Sequence, residues 1–316
     1  MTRSRPNILF LLADQHRPDF VGFDSDVPVR TPNLDALVRD GVAFRNAVTP
    51  SPVCGPARSC LASGLEYDRC YVRDHADQDF PLAAPTLYGR LRDQGGYYTV
   101  GTGKFDLQKH SGNWGIDGQQ DLDANGFSAG CNTCGNHTPD TVSDPYTAYL
   151  ESQGRFEEYL AEQERREDSE YHYFDGSDAG STFPSSLPEE AYHDNFIGRR
   201  SLEHLDEAPT DRPWFMQVNF VNPHNPWNVT EEMHEWYRNP DVDFPLPLDP
   251  SDRFDAETHQ EIRRNYATMV ENVDRWVGRF LQALEERGER DDTIVVYSSD
   301  HGESLGDRGN WYKRSP

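Results

Sequence analysis

The 316-residue sequence predicts a doubly wound α/β domain, with a mostly parallel central sheet flanked by helices. Three observations predict it. Four short apolar runs read as strands buried on both faces: Asn7–Ala13 (NILFLLA), Tyr97–Gly101 (YYTVG), Trp214–Val221 (WFMQVNFV) and Thr293–Ser298 (TIVVYS). Helix-like segments alternate with them. Each run is followed at once by polar residues, namely Asp14-Gln15, Gly103-Lys104, Asn222-Pro223-His224 and Asp300-His301. In open α/β sheets the ligand site lies beyond the carboxyl ends of the strands, so these groups are offered to one place.

Arg3 and Arg5 ahead of the first run imitate a signal peptide, but the run is short, ends at Asp14 and lacks a small-residue cleavage site. It reads as the first strand, and a cytoplasmic location is expected. The segment Thr31 to Gly41 carries an early proline, an i/i+3 apolar pattern and a closing glycine, the marks of a helix. Pro85–Gln94 reads as the helix before the second strand. Thr258–Arg287 carries a long amphipathic stripe through Ile262, Tyr266, Met269, Val273, Trp276, Phe280 and Leu284. Residues 105–200 differ: polar and glycine-rich over Gly112–Gly135, heavily charged over Glu151–Glu170. They are expected as an excursion with one or two helices inside a single domain spanning 1–316.

Composition limits the partners. There are 55 acidic and 30 basic residues, a net charge of −25, and a mean hydropathy of −0.85. Such a chain repels nucleic acid and anionic membranes, and no apolar run approaches the ~18 residues of a membrane span. Lysine occurs only at 104, 109 and 313, against 27 arginines. Acid excess with scarce lysine resembles a halophilic archaeal proteome, and it marks each lysine as a candidate for a role. Five cysteines, unevenly placed, do not suggest a disulfide framework.

Cys54-Gly55-Pro56 followed by a helix-like stretch puts a sulfur at a helix N-terminus, where free N–H groups and the helix dipole favour anions. Arg58, one turn later, adds a guanidinium for an oxyanion. The alternative is a small buried cysteine in a turn.

Cys54-x-Pro56-x-Arg58, closed by Gly64, resembles the signature of the sulfatases of the alkaline phosphatase superfamily. The likeness runs from Pro6 to Lys313. It includes the opening strand with its acid (Asn7–Asp14), the Thr31–Leu37 helix start and the late Ser299–Glu303 (SDHGE). The resemblance implies that Cys54 is oxidised to formylglycine by a formylglycine-generating enzyme, met transiently. It implies a divalent metal held by Asp14, Gln15, Asp300, His301 and an oxygen of residue 54, with Ca2+ favoured and Mg2+ or Mn2+ as alternatives. It implies an anion-binding set of Arg58, Lys104, His224 and Lys313 around a small sulfated substrate. The hydrated aldehyde attacks sulfur, Lys313 or His224 assists the leaving oxygen, and Arg58 and Lys104 hold the sulfate oxygens.

Two departures stand out. Gln15 and His301 resemble the phosphonate monoester and phosphodiester hydrolase branch rather than common sulfatases. The family's Gly-Lys-x-His is here Gly103-Lys104-Phe105-Asp106, so either Asp106 or His301 takes the proton in the second half-reaction, or turnover is altered. An unmodified, inactive anion- or metal-binding protein is the alternative from another class. Sulfatases also carry a small C-terminal domain, so a chain truncated at that end is expected. Cys131-x-x-Cys134 with His137 resembles half a zinc site without a second half. Cys60 and Cys70 read as packing residues, and Asp74 as a pocket-lining or solvated acid.

Overall fold

The computed structural model describes residues 5–313, apart from 24, 75–77, 113, 137–142, 168–179 and 238–241. The strands are β1 (Asn7–Ala13), β2 (Tyr98–Lys104), β3 (Ala129–Thr133), β4 (Trp214–Asn219) and β5 (Thr293–Ser299). They form one parallel sheet in the order β3-β2-β4-β1-β5. The chain moves from β1 outward to β2 and β3, then returns to β4 and crosses to β5, which is the doubly wound pattern.

The helices are α1 (Pro32–Asp40), α2 (Cys54–Ser63), α3 (Leu87–Asp93), α4 (Leu122–Asn125), α5 (Pro145–Ser152), α6 (Phe156–Glu167), α7 (His193–Glu207), α8 (Glu231–His234) and α9 (Ala256–Glu286). Strand alternation sends Leu9, Leu11, Val100, Met216 and Val218 to one face, where they pack with Phe196 and Ile197 of α7 and Val273, Trp276 and Phe280 of α9. The opposite face places Phe215, with Ile8 and Phe10, against Ala62 of α2 and Tyr88 of α3. A third cluster joins Phe20, Trp227, Tyr266, Trp311 and Tyr312. It ties the loops after β1, β4 and β5 to α9.

Helix ends follow local chemistry. Asp255 caps α9, its side chain accepting from Thr258 N at 2.8 Å. Gly64 closes α2 in the left-handed region (φ 70°), donating its N–H to Cys60 O at 2.8 Å.

The structure corrects the expected elements in several places. β2 begins one residue later than expected and runs on to Lys104, so Gly103 and Lys104 belong to the strand rather than follow it. β4 ends at Asn219, two residues early, and β5 extends to Ser299 but, as an edge strand, leaves Ile294 and Val296 exposed rather than buried on both faces. α3 starts at Leu87, because Thr86 caps it by accepting from Gly89 N, and α9 starts at Ala256. The excursion contains β3, which was not expected, and in place of one or two helices it holds α4, α5, α6 and the start of α7. Gly130 pairs with Gly101 across the β2–β3 ladder, and its φ of 153° and a 1.9 Å approach of a notional Cβ to Gly101 O admit only glycine. No helix among the described residues is long and apolar enough to cross a membrane.

Candidate active site

Every strand except edge strand β3 delivers predicted residues to one end of the sheet. Asp14 and Gln15 follow β1, Lys104 ends β2, His224 lies in the turn after β4, and Asp300 and His301 follow β5. Cys54 is the first residue of α2, as the sequence predicts, behind the extended Val53. Asp14, Gln15 and Cys54 are fully buried, and Arg58, Lys104, His224, Asp300 and His301 nearly so.

Cys54 Sγ is the hub. Lys313 Nζ lies 2.8 Å away, His301 Nε2 3.2 Å, Asp14 Oδ1 3.7 Å and Lys104 Nζ 3.8 Å. Burial by itself would raise the thiol, but the ammonium groups of Lys104 and Lys313 and the imidazole of His301 outweigh it. Together they hold Cys54 well below its ordinary value.

Two histidines have their tautomers set by backbone carbonyls. His224 Nδ1 lies 2.6 Å from Asn225 O and therefore donates, leaving Nε2 to accept from Lys313 Nζ at 2.9 Å. Burial, then the Lys313 charge, lowers His224 to about 4, so it stays neutral. His301 Nδ1 donates to Gly302 O at 2.9 Å, which points Nε2 at the centre of the site. Burial opposes charging His301, yet Asp300 and the Cys54 sulfur raise it to about 9.

Arg58 is held by the carboxylates and carbonyls around it. Its Nε donates to Asp300 Oδ2 at 2.9 Å, Nη2 lies 3.5 Å from Asp14 Oδ2, and Nη1 reaches Asn219 Oδ1 and the Lys104 carbonyl. The guanidinium is directed at two carboxylates. Lys104 Nζ pairs with Asp14 and lies 3.5 Å from Asp106 Oδ2, and Lys109 Nζ lies 3.2 Å from the same oxygen. Burial disfavours the Lys104 charge, but Asp106 and Asp14 hold it well above the usual lysine value. Burial and the Cys54 charge work against ionised Asp14, and the charges of Lys104 and Arg58 overcome them. Asp300 is raised, by burial and by Asp14.

These residues fit a divalent cation. Among the described residues, Asp14, Cys54, Asp300 and His301 form one group whose donor atoms all lie within 4.8 Å of one another. Gln15 adds a telling atom. Its Nε2 faces two acceptors, Glu303 Oε2 and Asn225 Oδ1 (3.4 Å), while its carbonyl Oε1 is buried with no hydrogen-bond partner. Burying an unpaired carbonyl is costly unless something else satisfies it. Two carboxylates, an amide oxygen and one imidazole suit a hard cation.

The remaining predicted residues lie elsewhere. Cys60, Cys70, Cys131 and Cys134 are buried free thiols, the first two as the packing residues expected. Among the described residues Cys131 and Cys134 join no cluster of three or more metal-ligating groups. His137 lies outside the described residues, and Asp74 is half-buried in the loop after α2. Sequence reasoning missed Asn219, Asn136 and Glu303. Asn136 Nδ2 donates to the His224 carbonyl at 3.3 Å. Glu303 was visible as the last residue of Ser299–Glu303.

The sulfatase family model matches residues 6–316. The chain belongs to the sulfatase family, with the alkaline phosphatase-like fold. It is 29% identical to a choline-sulfatase of Rhizobium meliloti over 99% of this chain and 60% of that protein. It is 24% identical to an arylsulfatase of Clostridium perfringens over 98% of this chain and 65% of that one. Among solved structures, the phosphonate monoester hydrolase of Agrobacterium radiobacter superposes with a TM-score of 0.72 at 25% identity, covering 97% of this chain and 64% of that one. The chain thus spans 60 to 65% of the length of these proteins.

Proposed function

We propose that this protein hydrolyses sulfate esters of small alcohols, with residue 54 acting after conversion of Cys54 to formylglycine by a formylglycine-generating enzyme. The observation that carries this reading is the convergence of Lys313, Lys104, His301 and Asp14 on Cys54 Sγ at the first turn of α2. The sulfur stands in for the oxygens that residue 54 carries once converted and hydrated. The hydrated aldehyde supplies two hydroxyls, one to attack the ester sulfur and one whose deprotonation drives out the sulfate. A divalent cation, Ca2+ in the first instance, would be held by Asp14, Gln15, Asp300 and His301 and would supply positive charge that favours the deprotonated nucleophile.

The chain's own residues then divide the work. The Lys313 ammonium donates to neutral His224 and is thereby aimed at the leaving oxygen, to which it gives a proton as the sulfur–oxygen bond breaks. Lys104 attracts the ester's negative charge. Arg58 holds Asp14 and Asp300 in place. Asp106 receives the proton of the second hydroxyl as the aldehyde re-forms and sulfate departs. The acidic composition fits a salt-rich cytoplasm.

Mass spectrometry of the Cys54 peptide from a native host, together with hydrolysis of an aryl sulfate, tests the proposal. Unmodified cysteine with no hydrolysis would leave an inactive anion- or metal-binding protein. A second reading, phosphonate monoester or phosphodiester hydrolysis on the same core, draws on Gln15 and His301 and on the likeness to the Agrobacterium radiobacter enzyme. Faster turnover of an aryl phosphonate than of an aryl sulfate would select it.

A further inference from the structure

We infer that Glu303 is a positioning residue that serves both sides of the site at once. It orients the Gln15 amide towards the metal and anchors the segment that delivers Lys313. The inference rests on the metal-dependent reading above, and three donors converge on this one buried carboxylate. Oε2 accepts from Gln15 Nε2, and Oε1 accepts from Leu305 N at 2.8 Å and from Tyr312 N at 2.6 Å. All three partners are N–H groups, so an ionised acid satisfies them and an amide cannot.

The first consequence concerns Gln15. Its amide could present either end to the cation site. With Glu303 Oε2 and Asn225 Oδ1 both accepting from Nε2, only Oε1 remains for a cation. Gln15 also holds a left-handed backbone (φ 67°), a conformation a non-glycine residue keeps only when its surroundings require it. Its N–H donates to Asp300 Oδ1 at 3.0 Å, and its carbonyl accepts from Tyr266 Oη at 2.7 Å. The backbone is pinned at both ends, and Glu303 fixes the one remaining freedom, the amide flip.

The second consequence concerns Lys313. The segment after Glu303 turns back on itself, with Ser304 N donating to Tyr312 O at 2.9 Å. Glu303 Oε1 bridges both arms of that turn. Trp311 and Tyr312 pack on Trp227 at 5.8 and 5.7 Å, and the next residue places its ammonium 2.8 Å from Cys54 Sγ. One carboxylate therefore links a metal ligand after β1 to a cation that follows β5.

A charge-conserving exchange tests this. Ca2+ binding to the whole chain is measured by calorimetry for wild type, E303Q, Q15E and the double variant Q15E/E303Q. In E303Q two amide groups face each other, Gln15 turns its NH2 inward, and Ca2+ affinity falls about 10- to 100-fold. In the double variant the amide introduced at position 303 donates to the carboxylate introduced at position 15, and the orientation returns. Affinity then recovers to within about threefold of wild type despite two substitutions, a non-additivity that a merely structural role would not produce. Q15E alone sets two carboxylates face to face, and its Ca2+ affinity acquires a steep pH dependence that E303Q removes. That pair keeps the comparison open if E303Q alone fails to fold. Wild-type affinity in E303Q, or no recovery in the double variant, overturns the assignment. A wild-type chain that binds no divalent ion overturns the metal reading itself, and this inference with it.

Discussion

Lys313 and Cys54, 259 positions apart, meet at 2.8 Å, and His224 Nε2 accepts from the same ammonium at 2.9 Å. The pairing makes Lys313 an acid whose direction is set by a neutral base. K313A is expected to slow hydrolysis of an alkyl sulfate by about 10²- to 10⁴-fold, the usual worth of a positioned proton donor. An activated aryl sulfate, whose leaving oxygen needs no proton, should lose far less. Equal losses on both substrates would show that Lys313 binds the ester and does not protonate it.

Arg58 is buried between Asp14 and Asp300. Removing one partner of a buried ion pair typically costs about 3–5 kcal/mol, because the other charge stays buried and uncompensated. R58A is therefore expected to unfold at clearly lower urea, and added Ca2+ should restore much of the loss by replacing the missing positive charge. A large rise in KM with unchanged stability would instead return Arg58 to the substrate.

Much of this was legible before the fold was known. β1, β5 and α9 are written as apolar runs and stripes, and the residues after β1, β4 and β5 meet as the strand-end rule requires. β3 was not legible. Its AGCNT offers no branched apolar side chain, and close approach to Gly101 forbids a Cβ at Gly130. Arg58 was assigned to the substrate because a guanidinium near a helix N-terminus suggests an anion. Only the fold reveals that two carboxylates from other strands arrive first. Glu303 stood inside a quoted motif, but its partners come from position 15 and from beyond a turn, which no spacing announces.

Asp194, at the start of α7, accepts from Val221 N at 2.7 Å, and burial raises its carboxyl from an ordinary 3.8 to about 7. The folded state binds the proton more tightly than the unfolded chain. Its contribution is therefore fully present below about pH 4 and is lost as pH rises towards 7, by on the order of 4 kcal/mol. D194N keeps an acceptor for Val221 and cannot ionise. Urea unfolding should find it about as stable as wild type at low pH and more stable at pH 8. A wild-type advantage at pH 8 would contradict the sign.

Asp106 stands where the family carries a histidine, 3.5 Å from Lys104 Nζ and 3.2 Å from Lys109 Nζ. Its left-handed backbone (φ 55°) is one that asparagine tolerates, so D106N removes charge without backbone strain. If Asp106 takes the proton that lets sulfate leave, D106N still performs the first half-reaction. It should release one equivalent of alcohol in a burst and then turn over roughly 10²-fold more slowly. Stopped-flow detection of a chromogenic alcohol separates the cases. Uniform slowing without a burst would place Asp106 in the first step, as the partner that holds Lys104, while wild-type turnover would remove it from the cycle and leave His301 as the proton acceptor.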